Sequence, residues 1–459
     1  MRLRHLAAAA AAALAIVPPA HAEPMPAGAV VQDLIFFRDV WAAKEKSFAA
    51  EARARMLAFV GEQIAHPRAM ERWELALVCF EAAAFSGNNH TQPEFFEEAG
   101  LFHTLPISFW LFSDGAFVTR AHPGFRRLLG ARIVRMGGVP IREAAQRVEK
   151  FIAGTPQRKR YEAPAFLTRI EVLRAIGLVG PDGSEVGIEF EMPSGQRVTE
   201  RLGVAPGADP AAASAPCLAS VVPGKGPDPW PHVLDRLSKL PPHVQPPDEF
   251  TSLSLAGGRL LYIRSTSLSP YEGENTVQRK AYGIVDEVVK SGKAPDDVVV
   301  DLRYNAGGNL FNILNFAVEL PKLVGPKGRV YVVTGRATNS AAIVLTALLK
   351  ANSRGRMTQV GEEPSDDLRF WSEGSFVRAP ASKLALRYTD GYHDWAQGCD
   401  DLKKCYWPVV LHGVAVGSLH PDLPVDESFA DYRDGRDPAL DAILSNIRRR
   451  RPGTASSDR

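Results

Sequence analysis

Two short β-branched runs, residues 298–302 and 330–333, each lead into a turn and then into an apolar pattern of helical period. This repetition is the strongest constraint in the chain. A strand that is apolar throughout must be covered on both faces, and the helices that follow the strands supply that cover. Residues 260–263, 298–302 and 330–333 read as strands and residues 277–290, 310–320 and 340–350 as helices, which predicts an α/β layer built on parallel strands within residues 250–447. The first turn holds Asn305, Ala306, Gly307, Gly308 and Asn309, where two glycines let the backbone bend sharply and bring bare N–H groups close to a ligand. The second holds Thr338, Asn339, Ser340, Ala341 and Ala342, which puts a hydroxyl at the mouth of the helix carrying Ile343, Leu345, Leu348 and Leu349.

Taken singly, Ser340 reads as a helix cap and the glycine pair as a turn. Taken together on adjacent parallel strands, they place backbone donors and a positive helix end at one hydroxyl. That combination suits an oxyanion hole.

The amino terminus has a different character. Arg2, Arg4 and His5 precede an alanine-rich apolar run over residues 6–17, and Ala20, His21 and Ala22 offer a small-x-small cleavage site. Residues 1–22 are therefore expected to be a secretory signal peptide cleaved near Ala22, and the mature protein to be secreted or periplasmic. The run is shorter than the roughly 20 residues of a bilayer span, and no second long apolar run follows, so no membrane span is expected. The formal net charge of +2 and the lack of a like-charge block other than residues 448–451 give no reason to expect a nucleic-acid partner. Of the four cysteines, Cys399 and Cys405 close a short polar loop and are the favoured bridge. Cys79 lies in a helical pattern and is expected to be a buried thiol; the partner of Cys217 stays open. Neither a Cys-x-x-Cys nor a His-x-x-x-His spacing is present, so no metal and no cofactor are expected.

Residues 23–103 carry apolar side chains at helical intervals and end in the turn Ser86, Gly87, Asn88, Asn89, His90, Thr91. Residues 104–204 are strand-rich, with candidates at 107–112, 117–120, 131–136 and 185–191. Residues 205–249 are rich in Pro, Ala, Gly and Ser and read as a linker, while residues 448–459 read as a basic polar tail. Phe370, Trp371, Trp395 and Trp407 either line a cleft or fill the core.

The motifs VVVDLRYNAGGN, NSAA, VGEEP and HPDLPVDESFADYRDGRDPALDAIL together resemble the C-terminal processing protease and tricorn-core family of serine peptidases, which includes the tail-specific proteases, over about residues 81–444. The resemblance implies a crotonase-like fold of repeated β-β-α units for residues 250–447 and a PDZ-like module for residues 104–204. It implies that Ser340 is the nucleophile, and that the N–H groups of Gly307 or Gly308 and of Ala341 form the oxyanion hole. Bacterial processing proteases use a lysine base in a turn shortly after the serine. Here that turn reads Glu362, Glu363, Pro364, Ser365, Asp366, Asp367 and has no lysine. The tricorn-like branch instead draws a histidine from a Gly-x-x-His-Ser/Thr turn far upstream, which His90 matches, with Asn89 at the position of a helper residue. Imidazole has the right chemistry for a base near neutral pH. The carboxylate that orients it is expected from Asp400 or Asp401, with Glu362 as a weaker candidate. Asp301 and Arg303 read as a structural ion pair. The implied activity is a serine-type peptidase, endopeptidase or carboxyl-end-directed, acting on a peptide or protein substrate. The alternatives are an inactive member of the same fold that holds peptides or a hydrophobic ligand, and a hydrolase of non-peptide esters or amides.

Overall fold

The computed structural model describes residues 23–91, 93, 100–204, 220–224, 230–245, 250–269 and 276–451. The expected leader (residues 1–22) and Cys217 lie outside the described residues. No helix among the described residues is long and apolar enough to cross a membrane.

The amino-terminal region folds into α1 (Ala27–Phe36), α2 (Ala50–Ala65) and α3 (Arg72–Ala84). α2 buries Ala52, Met56 and Val60, one residue per turn on a single stripe. α3 opens with a reciprocal cap between Glu71 and Glu74 and delivers the chain directly into the Ser86–Thr91 turn. The strand-rich region follows with β1 (Ile107–Phe112), β2 (Gly115–Ala121), β3 (Arg132–Met136), α4 (Ile141–Val148), α5 (Pro156–Leu167), β4 (Glu185–Glu191) and β5 (Arg197–Gly203). Its antiparallel sheet runs β1-β2-β3-β4-β5. In β4 the burial alternates strictly, so that Val186, Ile188 and Phe190 point into the core. The helical and strand-rich regions share one continuous core. Phe37, Trp41 and Phe80 belong to the same cluster as Ile133, Phe166 and Phe190.

The carboxy-terminal half contains β6 (Phe250–Leu255), β7 (Leu260–Ser265), α6 (Val277–Ser291), β8 (Asp297–Asp301), α7 (Leu314–Leu323), β9 (Val330–Thr334), α8 (Ala341–Asn352), β10 (Met357–Gly361), β11 (Arg369–Ser372), β12 (Gly391–Asp394), α9 (Trp407–His412), β13 (Leu423–Pro424) and α10 (Pro438–Arg450). The central sheet has the order β13-β10-β9-β8-β7-β6. The pairs from β7 through β13 are parallel, and β6 pairs antiparallel to β7. Every residue of β8, β9 and β10 is buried, as expected of strands covered on both faces. The register Val330↔Val298 and Val330↔Met357 brings the carboxyl ends of β8, β9 and β10 side by side. The turns leaving those three ends therefore converge.

Two segments depart from the sequence reading. The described parts of the expected linker carry buried anchors between exposed residues. Val221, Val222, Leu234 and Val244 are fully buried against Trp110, Tyr304, Phe429 and Tyr432. The average composition of residues 205–249 hid this handful of apolar anchors. At the other end, α10 runs through Arg450, beyond the expected start of the tail at residue 448. Arg450 binds the Tyr331 hydroxyl at 2.7 Å, and Arg451 pairs with Asp296 at 2.7 Å. Part of the basic tail thus covers the amino-terminal ends of the central strands β8 and β9.

Candidate active site

The ends of two neighbouring strands, β8 and β9, build one wall of a cavity of about 530 Å³. From β8 comes the Gly307–Gly308 turn, and from β9 comes Ser340. The turn after β10 carries Asp366, which lies beside His90 and outside the cavity lining. The Asn305 carboxamide accepts from Gly307 N–H at 2.8 Å and donates to Ser265 Oγ at 2.8 Å, which fixes the glycine turn from within. Both glycines adopt positive φ, +102° and +137°. A Cβ on Gly307 would lie 2.7 Å from Ser340 Cβ, and one on Gly308 would overlap the Leu268–Ser269 peptide. Only glycine allows this approach of backbone to serine.

Ser340 itself is held at φ +51°, ψ −124°, a conformation that costs a non-glycine residue about 1–3 kcal/mol. The turn is held by Thr338. Its hydroxyl donates to Leu302 O at 2.7 Å, and its carbonyl accepts from Ser365 N–H at 3.0 Å. Ser340 is no cap, since its side chain makes no bond to the amides of α8. Among the described residues no protein acceptor receives the N–H of Gly308 or of Ala341. Gly307 differs from the expectation here, because its N–H is already committed to Asn305.

Facing this wall is the turn after α3. Asn89 Nδ2 donates to Asn339 Oδ1 at 2.6 Å, a contact between positions 250 residues apart that ties the His90 turn to the serine turn. Asn88 clamps the edge of β11, accepting from Trp371 N–H at 2.9 Å and donating to Trp371 O at 3.0 Å. Gly154 (φ +103°) packs against Asn89, and Thr155, the N-cap of α5, donates its hydroxyl to Ser365 O at 2.7 Å. The strand-rich region therefore braces both the histidine turn and the Asp366 turn.

His90 and Ser340 line the same cavity, with no hydrogen bond between them. Both ring nitrogens of His90 are buried without a hydrogen-bond partner among the described residues. The nearest carboxylate is Asp366, with Oδ2 3.6 Å from His90 Nδ1. Burial holds the imidazole well below its usual range, reinforced by Arg387, Arg158 and His393. Burial also pushes the Asp366 carboxyl up to about 7. His90 is thus neutral at neutral pH, the form that accepts a proton.

The structure does not bring Asp400 or Asp401 to this cavity. Both are exposed in the loop closed by the Cys399–Cys405 disulfide, and Asp401 caps that loop by accepting from Lys403 N–H at 2.8 Å. Glu362 pairs with Arg336 at 3.5 Å, away from His90. Sequence reasoning passed over Asp366, whose turn was read only for its missing lysine. The available signal was position, since it leaves the third of three adjacent parallel strands. Asp301 and Arg303 form the expected structural pair, completed by Asp437. Trp395 is core, Phe370 is buried at the cavity wall, and Trp407 is 45 % exposed.

No family model matches the chain, and no curated protein matches it. Solved structures do. A serine-to-alanine mutant of CPAF aligns over 91 % of this chain and 96 % of its own, with TM-score 0.59 and 12 % identity. The chain has the CPAF fold. Mature CPAF aligns over 94 % of this chain and 99 % of its own (TM-score 0.57, 13 % identity), as does mature CPAF complexed with lactacystin, over 92 % and 99 % (TM-score 0.57, 12 % identity).

Proposed function

We propose that this chain is a serine peptidase that cleaves peptide bonds through an acyl-enzyme on Ser340. The observation that carries the reading is the conformation of Ser340. It is a strained serine at the head of α8, pressed against Gly307 and flanked by the unspent N–H groups of Gly308 and Ala341, in one cavity with a neutral buried histidine. Strain of this kind persists only where the surroundings over-determine it, and it concentrates at reacting groups.

In this reading Ser340 Oγ attacks the scissile carbonyl while His90 Nε2 takes its proton. The carbonyl oxygen becomes an oxyanion held by Gly308 and Ala341 N–H and by the positive end of α8. His90 then returns the proton to the leaving amine, the C–N bond breaks, and water hydrolyses the ester by the same route in reverse. Asp366, on the Nδ1 side, orients the ring and stabilises the imidazolium. It replaces Asp400 and Asp401 in that role. Asn89 acts as the positioning link between the two turns. We read residues 250–447 as crotonase-like and residues 104–204 as PDZ-like, and the Cys399–Cys405 disulfide suits an exported protein.

The test is to incubate the purified chain with a proteome-derived peptide mixture and to read new termini by mass spectrometry. New termini with the wild type and none with Ser340→Ala are expected. Peptides that bind yet emerge intact from the wild type would instead support the noncatalytic binding protein.

A further inference from the structure

The catalytic cavity is bounded along one side by aromatic rings in unbroken succession. His90 stacks on Phe370 (5.4 Å between centroids), Phe370 on His393 (4.5 Å), and His393 meets Tyr406 (5.1 Å). Tyr406 meets Trp407 (6.2 Å), which stacks on Phe311 (5.5 Å, 22° between planes). The inner end is buried and charged, with Arg158 and Arg387 acting on His90 and lining the same cavity. The outer end is apolar and open. Phe311 is 39 % exposed and Trp407 45 %.

Both outer rings are mounted on rigid supports. Phe311 follows the Gly307–Gly308 turn by only a few residues, in a helical turn capped by Asn309, whose Oδ1 accepts from Phe311 N–H at 3.0 Å. Trp407 opens α9 two residues after Cys405 of the disulfide, and the intervening Tyr406 N–H is pinned to Tyr392 O at 2.8 Å. An ordered, stacked aromatic pair left exposed forgoes burial that the fold could otherwise use, and such pairs serve as anchors in recognition. Phe311 and Tyr406 line the cavity that holds Ser340, so the pair continues the site instead of forming a separate face.

Building on the peptidase reading, we infer that Phe311 and Trp407 form a specificity subsite that takes an aromatic or large aliphatic side chain of the substrate close to the scissile bond. Cleavage sites should then carry such a residue at one fixed position within a few residues of the cut. The direct test uses two quenched peptides built on a cleaved sequence, one with Phe and one with Ser at that position, assayed with the full wild-type chain, Trp407→Ser and Phe311→Ser. The wild type should prefer the Phe peptide by about tenfold or more in kcat/KM, and each variant should reduce that ratio towards one, chiefly through KM. Both variants should still be labelled at Ser340 by a fluorophosphonate, which certifies a folded, reactive site. Labelling with an unchanged ratio, or with no positional preference in the wild type, overturns the inference alone. A change in sedimentation in place of a change in preference assigns the pair to contact with a second copy and also overturns it. A wild type that is never labelled overturns the peptidase reading and the subsite with it.

Discussion

The two sides of the cavity are built on different principles. The Ser340 side is made by backbone: two parallel strand ends, two glycines with no room for a side chain, and a turn held by Asn305 and Thr338. The His90 side is made by side chains reaching across the molecule, from Asn88 to β11, from Asn89 to Asn339 and from Thr155 to Ser365. Their functional atoms differ as well. The free N–H groups of Gly308 and Ala341 on the first side, the oxyanion donors of the proposed mechanism, belong to backbone already fixed in place, whereas His90 and Asp366 sit buried and 3.6 Å apart, just beyond hydrogen-bond length. Under the proposed mechanism the Ser340 side sets where the carbonyl goes, and the His90 side completes its proton path when substrate enters.

This contrast can be broken most severely on the rigid side. Ser340→Ala should reduce peptide hydrolysis by on the order of 10⁴-fold or more, measured as kcat/KM on a cleaved peptide. On the other side, Asp366→Asn should lower kcat by roughly 10³-fold with the fold intact, while Asp400→Asn and Asp401→Asn stay within about twofold of wild type. Equal losses from Asp366 and Asp401 would return the orienting role to the disulfide loop. Gly307→Ala drives a methyl into Ser340 and should cost about 10²-fold in kcat, with thermal unfolding reporting how much of that is local strain.

The pH profile sharpens the comparison further. Burial disfavours the charged form of Asp366 and raises it to about 7, so below that pH the group is a neutral carboxyl that cannot stabilise the His90 cation. Activity should rise with pH through about 7, and Asp366→Asn should abolish that limb. The smallest effect belongs to Asn89→Ala, which cuts the link to Asn339 and should cost about tenfold in kcat with little change in KM.

The same division explains what could be read from the sequence. The strand–turn–helix units, the adjacency of β8 and β9 and the meeting of the Gly307–Gly308 turn with Ser340 follow from local period and from the geometry of parallel strands. They were legible in residues 260–350 alone. Strands β1 to β4 of residues 104–204 were legible too, but β5 (Arg197–Gly203) was not. The turn at His90 was visible, but its place opposite Ser340 depends on Asn89 meeting a residue 250 positions away, which no local pattern encodes. Asp366 was hidden because an aspartate in a polar turn is ordinarily solvated. In the fold it is buried beside His90, within the field of Arg158 from α5. Residues 220–245 misled because scattered valines and one leucine, few enough to vanish in a Pro-rich average, find places in the core.

The central claim is that Ser340 and His90 act as one unit across the cavity. The most direct measurement is the second-order rate of fluorophosphonate labelling at Ser340, compared between wild type and His90→Ala of equal thermal stability. The account predicts labelling confined to Ser340 in the wild type and a rate at least about 10²-fold lower in His90→Ala. A folded wild type that stays unlabelled, or equal rates in the two proteins, would contradict it.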